Sequence, residues 1–119
     1  RILREVPGII PVAHFHNSRG TALANCLAAL EAGCTHFDSS IGGVGGHPDR
    51  IEYGSGLTGN VATEDLVNLL ETSGISTGID LDRLWEASAL CRTLLGRDLY
   101  SMVALAGWGL LPDRTTAHA

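Results

Sequence analysis

Lysine is absent from the 119 residues, and all eight basic side chains are arginine. A Walker-type phosphate loop requires its Lys, so that mode of nucleotide binding is excluded. The basic residues are also outnumbered by 13 acidic ones, for a formal net charge of -5, which excludes a protein that grips a nucleic-acid backbone through a basic face. Cysteines are few and odd in number. Cys26, Cys34 and Cys91 have spacings that suit neither a secreted disulfide framework nor a structural zinc site. No apolar run approaches the roughly 20 residues of a bilayer span. The opening RILREVPGII lacks the plan of a secretory signal. These absences predict a soluble, cytoplasmic protein in a reducing compartment, with no nucleic-acid and no membrane partner. The abrupt start at Arg1 also suggests that residues once preceded it. No internal repeat or low-complexity segment is present.

Glycine, by contrast, is plentiful. Fifteen glycines divide a chain that is 45% hydrophobic, enough for one modest core and too little for two. Residues 9–16 (IIPVAHFH) read as a short buried strand, set between Pro7-Gly8 and Asn17-Ser18-Arg19-Gly20. A helix follows, with Leu23, Leu27 and Leu30 at helical spacing and a stop at Gly33. Residues 34–41 (CTHFDSSI) read as a second strand, so strand, helix and strand form a βαβ unit with parallel strands. Gly42 to Gly59 is as long as ordered loops become, and loops of that length are usually functional. Thr63 is the expected N-cap of a helix that carries Glu64 and Asp65 in its first turn and buries Leu66, Leu69 and Leu70. A further helix is expected from Asp80 to Gly96, with Leu84, Ala87, Cys91, Leu94 and Leu95 facing inward. Two parallel strands need cover on both faces and neighbours on both edges. The fold expectation is therefore α/β: the C-terminal portion of a (β/α)8 TIM barrel, a fold of roughly 250 residues. It would supply the last two strands with their helices plus extra C-terminal helices. Residues 1–98 form the barrel part, and 99–119 a tail that is partly disordered.

His14 and His16, two apart on a strand, share one face at its C-terminal end, where such barrels keep their active sites. Two neutral imidazoles suit Zn, Mn, Fe or Co, and tolerate Mg where oxygen ligands complete the shell. An isolated H-x-H pair is equally what hydrogen-bonded histidines at a strand end look like. Gly42-Gly43-Val44-Gly45-Gly46 is open to two readings, an anion-binding nest or a glycine-rich lid. Asp38, Glu64 and Asp65 could support ligands from behind; a carboxylate in a first helical turn is also a simple partner of the helix dipole.

Three runs in order, HFHNSRGTALANCLAALEAG, FDSSIGGVGG and TGNVATEDLVNLLETSGISTGIDLDRL, resemble the C-terminal part of the 3-hydroxy-3-methylglutaryl-CoA lyase family. That family belongs to the metal-dependent lyase and aldolase group of TIM barrels. The resemblance runs from Val12 to about Gly96. It implies that His14 and His16 are ligands to a divalent metal, Mg2+ or Mn2+ in the first place and Zn2+ or Co2+ in the second. Asn60, within G-N-V-A-T-E-D, would be a third ligand through its amide oxygen. The family's fourth ligand, an Asp, and a catalytic Arg belong to the first strand, upstream of this sequence.

Where hydroxymethylglutaryl-CoA lyases read G-G-C-P with a catalytic Cys, this chain reads Gly45-Gly46-His47-Pro48. His47 is therefore the expected catalytic proton carrier beside His14, and is better suited to that task near neutral pH than an unperturbed thiol. Asn17 stands where the family often has Asp, and DRIEYGSGL lengthens the loop. The implied activity is carbon-carbon cleavage of a hydroxymethylglutaryl-CoA-like 3-hydroxy-acyl-CoA by metal-assisted retro-aldol or Claisen chemistry, giving an acyl-CoA and an oxo acid. The full-length protein would be a homo-oligomer, and these residues alone would be inactive. The alternatives are a Claisen-type synthase joining an acyl-CoA to a 2-oxo acid, whose G-E-R-A-G-N-type run is lacking here, and a catalytically incomplete remnant.

Overall fold

The computed structural model describes residues 2–45 and 59–109. Within them, α1 (Ile2–Glu5) precedes β1 (Val12–His14), α2 (Ala22–Glu31) and β2 (His36–Asp38). A 3-10 turn (Ile41–Gly43) leads on toward α3 (Thr63–Thr72), α4 (Leu81–Leu95) and α5 (Met102–Ala106). β1 and β2 pair in parallel, with Val12 opposite His36, Ala13 opposite Phe37 and His14 opposite Asp38. The strand-helix-strand unit expected from the sequence is present.

Both strands end earlier than the runs that suggested them, and the reason bears on the site. Beyond His14 and Asp38 the two strands stop pairing with each other, and residues 59–62 insert between their ends. Asn17 N donates to Gly59 O at 3.0 Å, Val61 N to Phe15 O at 3.0 Å, Ser40 N to Val61 O at 3.1 Å and Thr63 N to Ser40 O at 2.9 Å. His16 and Asn60 thereby form an antiparallel bridge, and Ser40 and Ala62 a parallel one. The wedge uses the backbone groups that a longer β1–β2 ladder would have used.

The helices start and stop largely where local chemistry dictates. Asn17 Oδ1 accepts from Ala22 N at 3.1 Å and so serves the first turn of α2. Asp80 caps α4 by accepting from Asp82 N and Arg83 N at 3.0 and 3.1 Å. Gly96 closes the same helix at φ +61°, in the left-handed region that glycine enters without strain. Thr63 is not the N-cap. Its hydroxyl is spent on Ser39 Oγ at 2.9 Å, the residue is already helical, and Ala62 takes the cap position.

One face of the sheet packs on α2 and α3. Ala22, Cys26, Val61 and Leu66 form the buried cluster there, with Phe15, Leu23, Phe37 and Leu70 against it. Burial pushes the Cys26 thiol pKa up, so this cysteine is a core residue and no nucleophile. A second cluster, Val67, Leu81 and Leu84 with Ile41 and Trp108, joins α3 to α4. One helical stripe, that of α4, differs from expectation. On α2 the buried positions are Ala22 and Cys26, with Leu23 packed against them. On α4 they are Leu81, Leu84 and Ser88, whereas Leu94 is 76% exposed and Leu95 is also exposed. The inward line of α4 is completed by a serine because a buried carboxylate faces it, which an apolar-only periodicity passes over.

After residue 98 the chain returns to α3, where Leu99, Ser101 and Val103 are buried. Asp65 ties the segment down: its carboxylate accepts from Ser101 Oγ at 2.7 Å, Val103 N at 2.9 Å and Met102 N at 3.2 Å. Trp108 lies against Trp85 with ring centroids 6.3 Å apart. No helix among the described residues is long and apolar enough to cross a membrane.

Candidate metal centre

Alternation along β1 and β2 sends Val12, His14, His36 and Asp38 to the face that α2 and α3 do not cover, and these side chains are exposed there. The His14 and His16 rings lie 5.1 Å apart at 63° to each other, so the two imidazoles stand together at the C-terminal end of β1. The backbone bridge to His16 brings in Asn60. Its Nδ2 donates to Val44 O at 3.2 Å, and with the NH2 group on a carbonyl the amide oxygen is left as the atom able to accept or ligate. The two histidine side chains thus stand together, and Asn60 is their neighbour through the backbone bridge to residue 16. His47 lies outside the described residues.

Asp38 completes the arrangement. It is the register partner of His14, and its Oδ1 is 3.2 Å from His14 Nδ1. An Nδ1–H bond to this carboxylate selects the tautomer that keeps a lone pair on Nε2, as carboxylates do behind metal-ligating histidines. The donor set of two imidazoles, one amide oxygen and a supporting carboxylate fits a divalent ion that accepts mixed nitrogen and oxygen ligands. Among the described residues no three His, Cys, Asp or Glu side chains gather into a metal-holding group, so the set depends on Asn60 and on oxygen donors from beyond these elements. Asp38→Asn should keep the fold and weaken metal affinity roughly 10- to 100-fold, the usual cost of losing such a support. Calorimetric titration with Mn2+ checks this, and unchanged affinity would assign Asp38 to solubility alone.

The sequence pointed to Glu64 and Asp65 only as helix-dipole partners or supporting groups. The structure buries both, Asp65 on the C-terminal segment and Glu64 on the glycine turn, where Gly42 N donates to Oε1 and Oε2 at 3.0 and 2.8 Å and Ser88 Oγ to Oε1. No spacing rule announces such partners, 22 to 38 residues away. Next to Asn60 opens a cleft of about 500 Å³ lined by Asn17, Asn60, Arg97, Tyr100, Met102 and Leu105, among others. The Arg97 guanidinium stands 5.6 Å above the Tyr100 ring, a cation–π pair in its wall.

Comparison with known proteins shows the family. Residues 1–91 match the HMGL-like family. The chain is 46% identical over 105 residues to the mitochondrial hydroxymethylglutaryl-CoA lyase of Bos taurus, covering 88% of this chain and 31% of that protein. It is 42% identical over 106 residues to the (R)-citramalyl-CoA lyase of Chloroflexus aurantiacus, covering 89% and 32%. Among solved structures, an HMG-CoA lyase from Acinetobacter baumannii in complex with coenzyme A and 3-methylmalate superposes with a TM-score of 0.79 at 44% identity, over 91% of this chain and 34% of that one. The Bacillus subtilis HMG-CoA lyase superposes at 0.78 with 41% identity, over 87% and 34%. The chain thus spans about a third of the length of these relatives, which are TIM barrels, and its α/β architecture is the corresponding portion of that barrel. By the family match over most of its length and by its place in that barrel, the chain belongs to the HMGL-like family.

Proposed function

We propose that the protein carrying this chain is a divalent-metal-dependent carbon-carbon lyase acting on a 3-hydroxy-acyl-CoA that resembles hydroxymethylglutaryl-CoA or citramalyl-CoA. The observation that supports this reading is the His14–His16 pair at the end of β1, with Asn60 beside it through the backbone bridge between residues 16 and 60. Its kinship to lyases for two different CoA thioesters supports the reaction class.

A divalent ion, when bound, supplies Lewis-acid polarisation and a template for the substrate's oxygens. The chain's own residues do the rest. Asp38 holds His14 in one tautomer, and Val44 O holds the Asn60 amide in one orientation. The cleft beside Asn60 takes part of the substrate, with Arg97 and Tyr100 in its wall. Transfer of the hydroxyl proton to His47 lets the bond between the hydroxyl-bearing carbon and the carbon next to the thioester break, and the electron pair passes to that carbon as a thioester enolate. His47 delivers the proton that converts the enolate to the released acyl-CoA, and the carbonyl formed at the other carbon leaves as the oxo acid. Prompt protonation keeps the two products from recombining.

The test uses the protein translated from the complete reading frame. Supplied with Mn2+ or Mg2+, it should split hydroxymethylglutaryl-CoA or citramalyl-CoA into acyl-CoA and oxo acid, and a chelator should stop it. Condensation of an acyl-CoA with a 2-oxo acid, without cleavage, would reassign it as a synthase.

A further inference from the structure

Glu64 is fully buried, and its hydrogen-bond partners are Gly42 and Ser88, not the candidate ligands. Its carboxylate accepts from Gly42 N with both oxygens, at 3.0 and 2.8 Å, and from the Ser88 hydroxyl of α4. A buried carboxylate that depends on two donors is costly to place and costly to disturb. What it holds is the glycine turn. Gly42 and Gly43 are at φ +62° and +66°, and a Cβ on Gly42 would meet Leu99 at 2.8 Å, so this backbone is fixed by close packing as well as by hydrogen bonds. The other end of the Gly42 residue is held too, because Tyr100 N donates to Gly42 O at 3.1 Å. The turn then delivers Val44 O to Asn60 Nδ2. Gly59, next to Asn60, lies so close to the carbonyls of Gly43 and Gly45 that no side chain fits there.

We propose that Glu64 is a positioning residue of the metal centre: it clamps the Gly42–Val44 turn whose last carbonyl fixes the orientation of the Asn60 amide. The inference rests on the metal reading above and adds to it a residue from the core of α3. Because the turn is gripped from α3 and from the C-terminal segment at once, Asn60 faces the metal through its oxygen without having to be ordered by the ion itself. Preorganisation of that kind appears as metal affinity.

The experiment is Mn2+ titration, followed by electron paramagnetic resonance and calorimetry, on the complete protein and on Glu64→Gln, Asn60→Ala and the double variant. Gln keeps the size of Glu64, but its NH2 cannot accept, so one arm of the clamp is lost. Glu64→Gln should weaken Mn2+ binding roughly 10-fold, and in the Asn60→Ala background the same change should weaken it by less than about twofold, because its effect passes through Asn60. A merely structural role would lower affinity by the same factor in both backgrounds, and that result overturns the proposal. So does unchanged affinity in Glu64→Gln when Asn60→Ala is weakened, which leaves the metal reading standing. If Asn60→Ala binds Mn2+ as the parent does, the metal reading and the proposal fall together. Should Glu64→Gln not fold, Ser88→Ala removes a single bond from the same carboxylate, and the same pair of backgrounds decides: a weakening that vanishes with Asn60→Ala supports the clamp, and any other pattern refutes it.

Discussion

Replacing His16 by Ala in the complete protein should lower kcat/KM by roughly 10³-fold, the equivalent of about 4 kcal/mol of transition-state stabilisation. Bound metal should fall with it. The loss has two parts. If the pair holds the ion, one imidazole donor would disappear, and the ring that stands 5.1 Å from His14 would no longer help define the face offered to the ion. The backbone bridge from residue 16 to Asn60 survives, because it is made by main-chain atoms, so the fold should melt close to the parent temperature. His14→Ala should cost at least as much, since it also strands the Asp38 carboxylate that His14 now engages at 3.2 Å. Metal analysis of the purified variants and a coupled assay for acyl-CoA release measure both effects. Parental turnover in either variant would remove the histidine pair from the chemistry.

His47→Ala should lower kcat by roughly 10² to 10⁴, the usual worth of a positioned acid or base, with metal content unchanged. The reason lies in the sequence: Gly45-Gly46 before it and Pro48 after it keep the frame in which the resemblance implies a catalytic residue. The contrast with His16→Ala is the informative part. One variant loses metal and activity together; the other loses activity alone. His47→Cys should recover part of the lost rate and move preference toward hydroxymethylglutaryl-CoA. A His47→Ala protein that turned over both thioesters at the parental rate would leave the proton with another group.

Much of this arrangement was legible in the sequence, for identifiable physical reasons. H-x-H on an apolar run fixes a shared face by strand geometry alone, and Asp80 and Gly96 mark the ends of α4 by capping chemistry that needs no tertiary partner. The family likeness, carried by G-N-V-A-T-E-D, implied a role for Asn60 beside the pair, and the backbone does join Asn60 to His16. What could not be read was whatever depends on contacts between distant segments. The insertion of residues 59–62 between the strand ends shortens both strands and joins Asn60 to His16, and no local preference encodes that. Ser88 at a buried helix position, and Glu64 and Asp65 as partners of Gly42 and Ser101, break the rule that the interior is apolar. They break it where the chain must hold a glycine turn and a returning C-terminal segment next to the site. Polar groups buried near function are where pattern reading fails for a physical reason. The Asp38 contact with His14 was half legible: both residues stood at strand ends, but only the register sets them opposite each other.

A single divalent ion held by both imidazoles of the H-x-H pair would couple to one nitrogen of each ring. Electron spin-echo modulation spectroscopy of the Mn2+-loaded complete protein tests this most directly, because it counts imidazole nitrogens coupled to the ion. Two such nitrogens in the parent, and one in each of His14→Ala and His16→Ala loaded at high Mn2+, is the predicted result. A parent spectrum without imidazole coupling, or one that neither substitution alters, would contradict it.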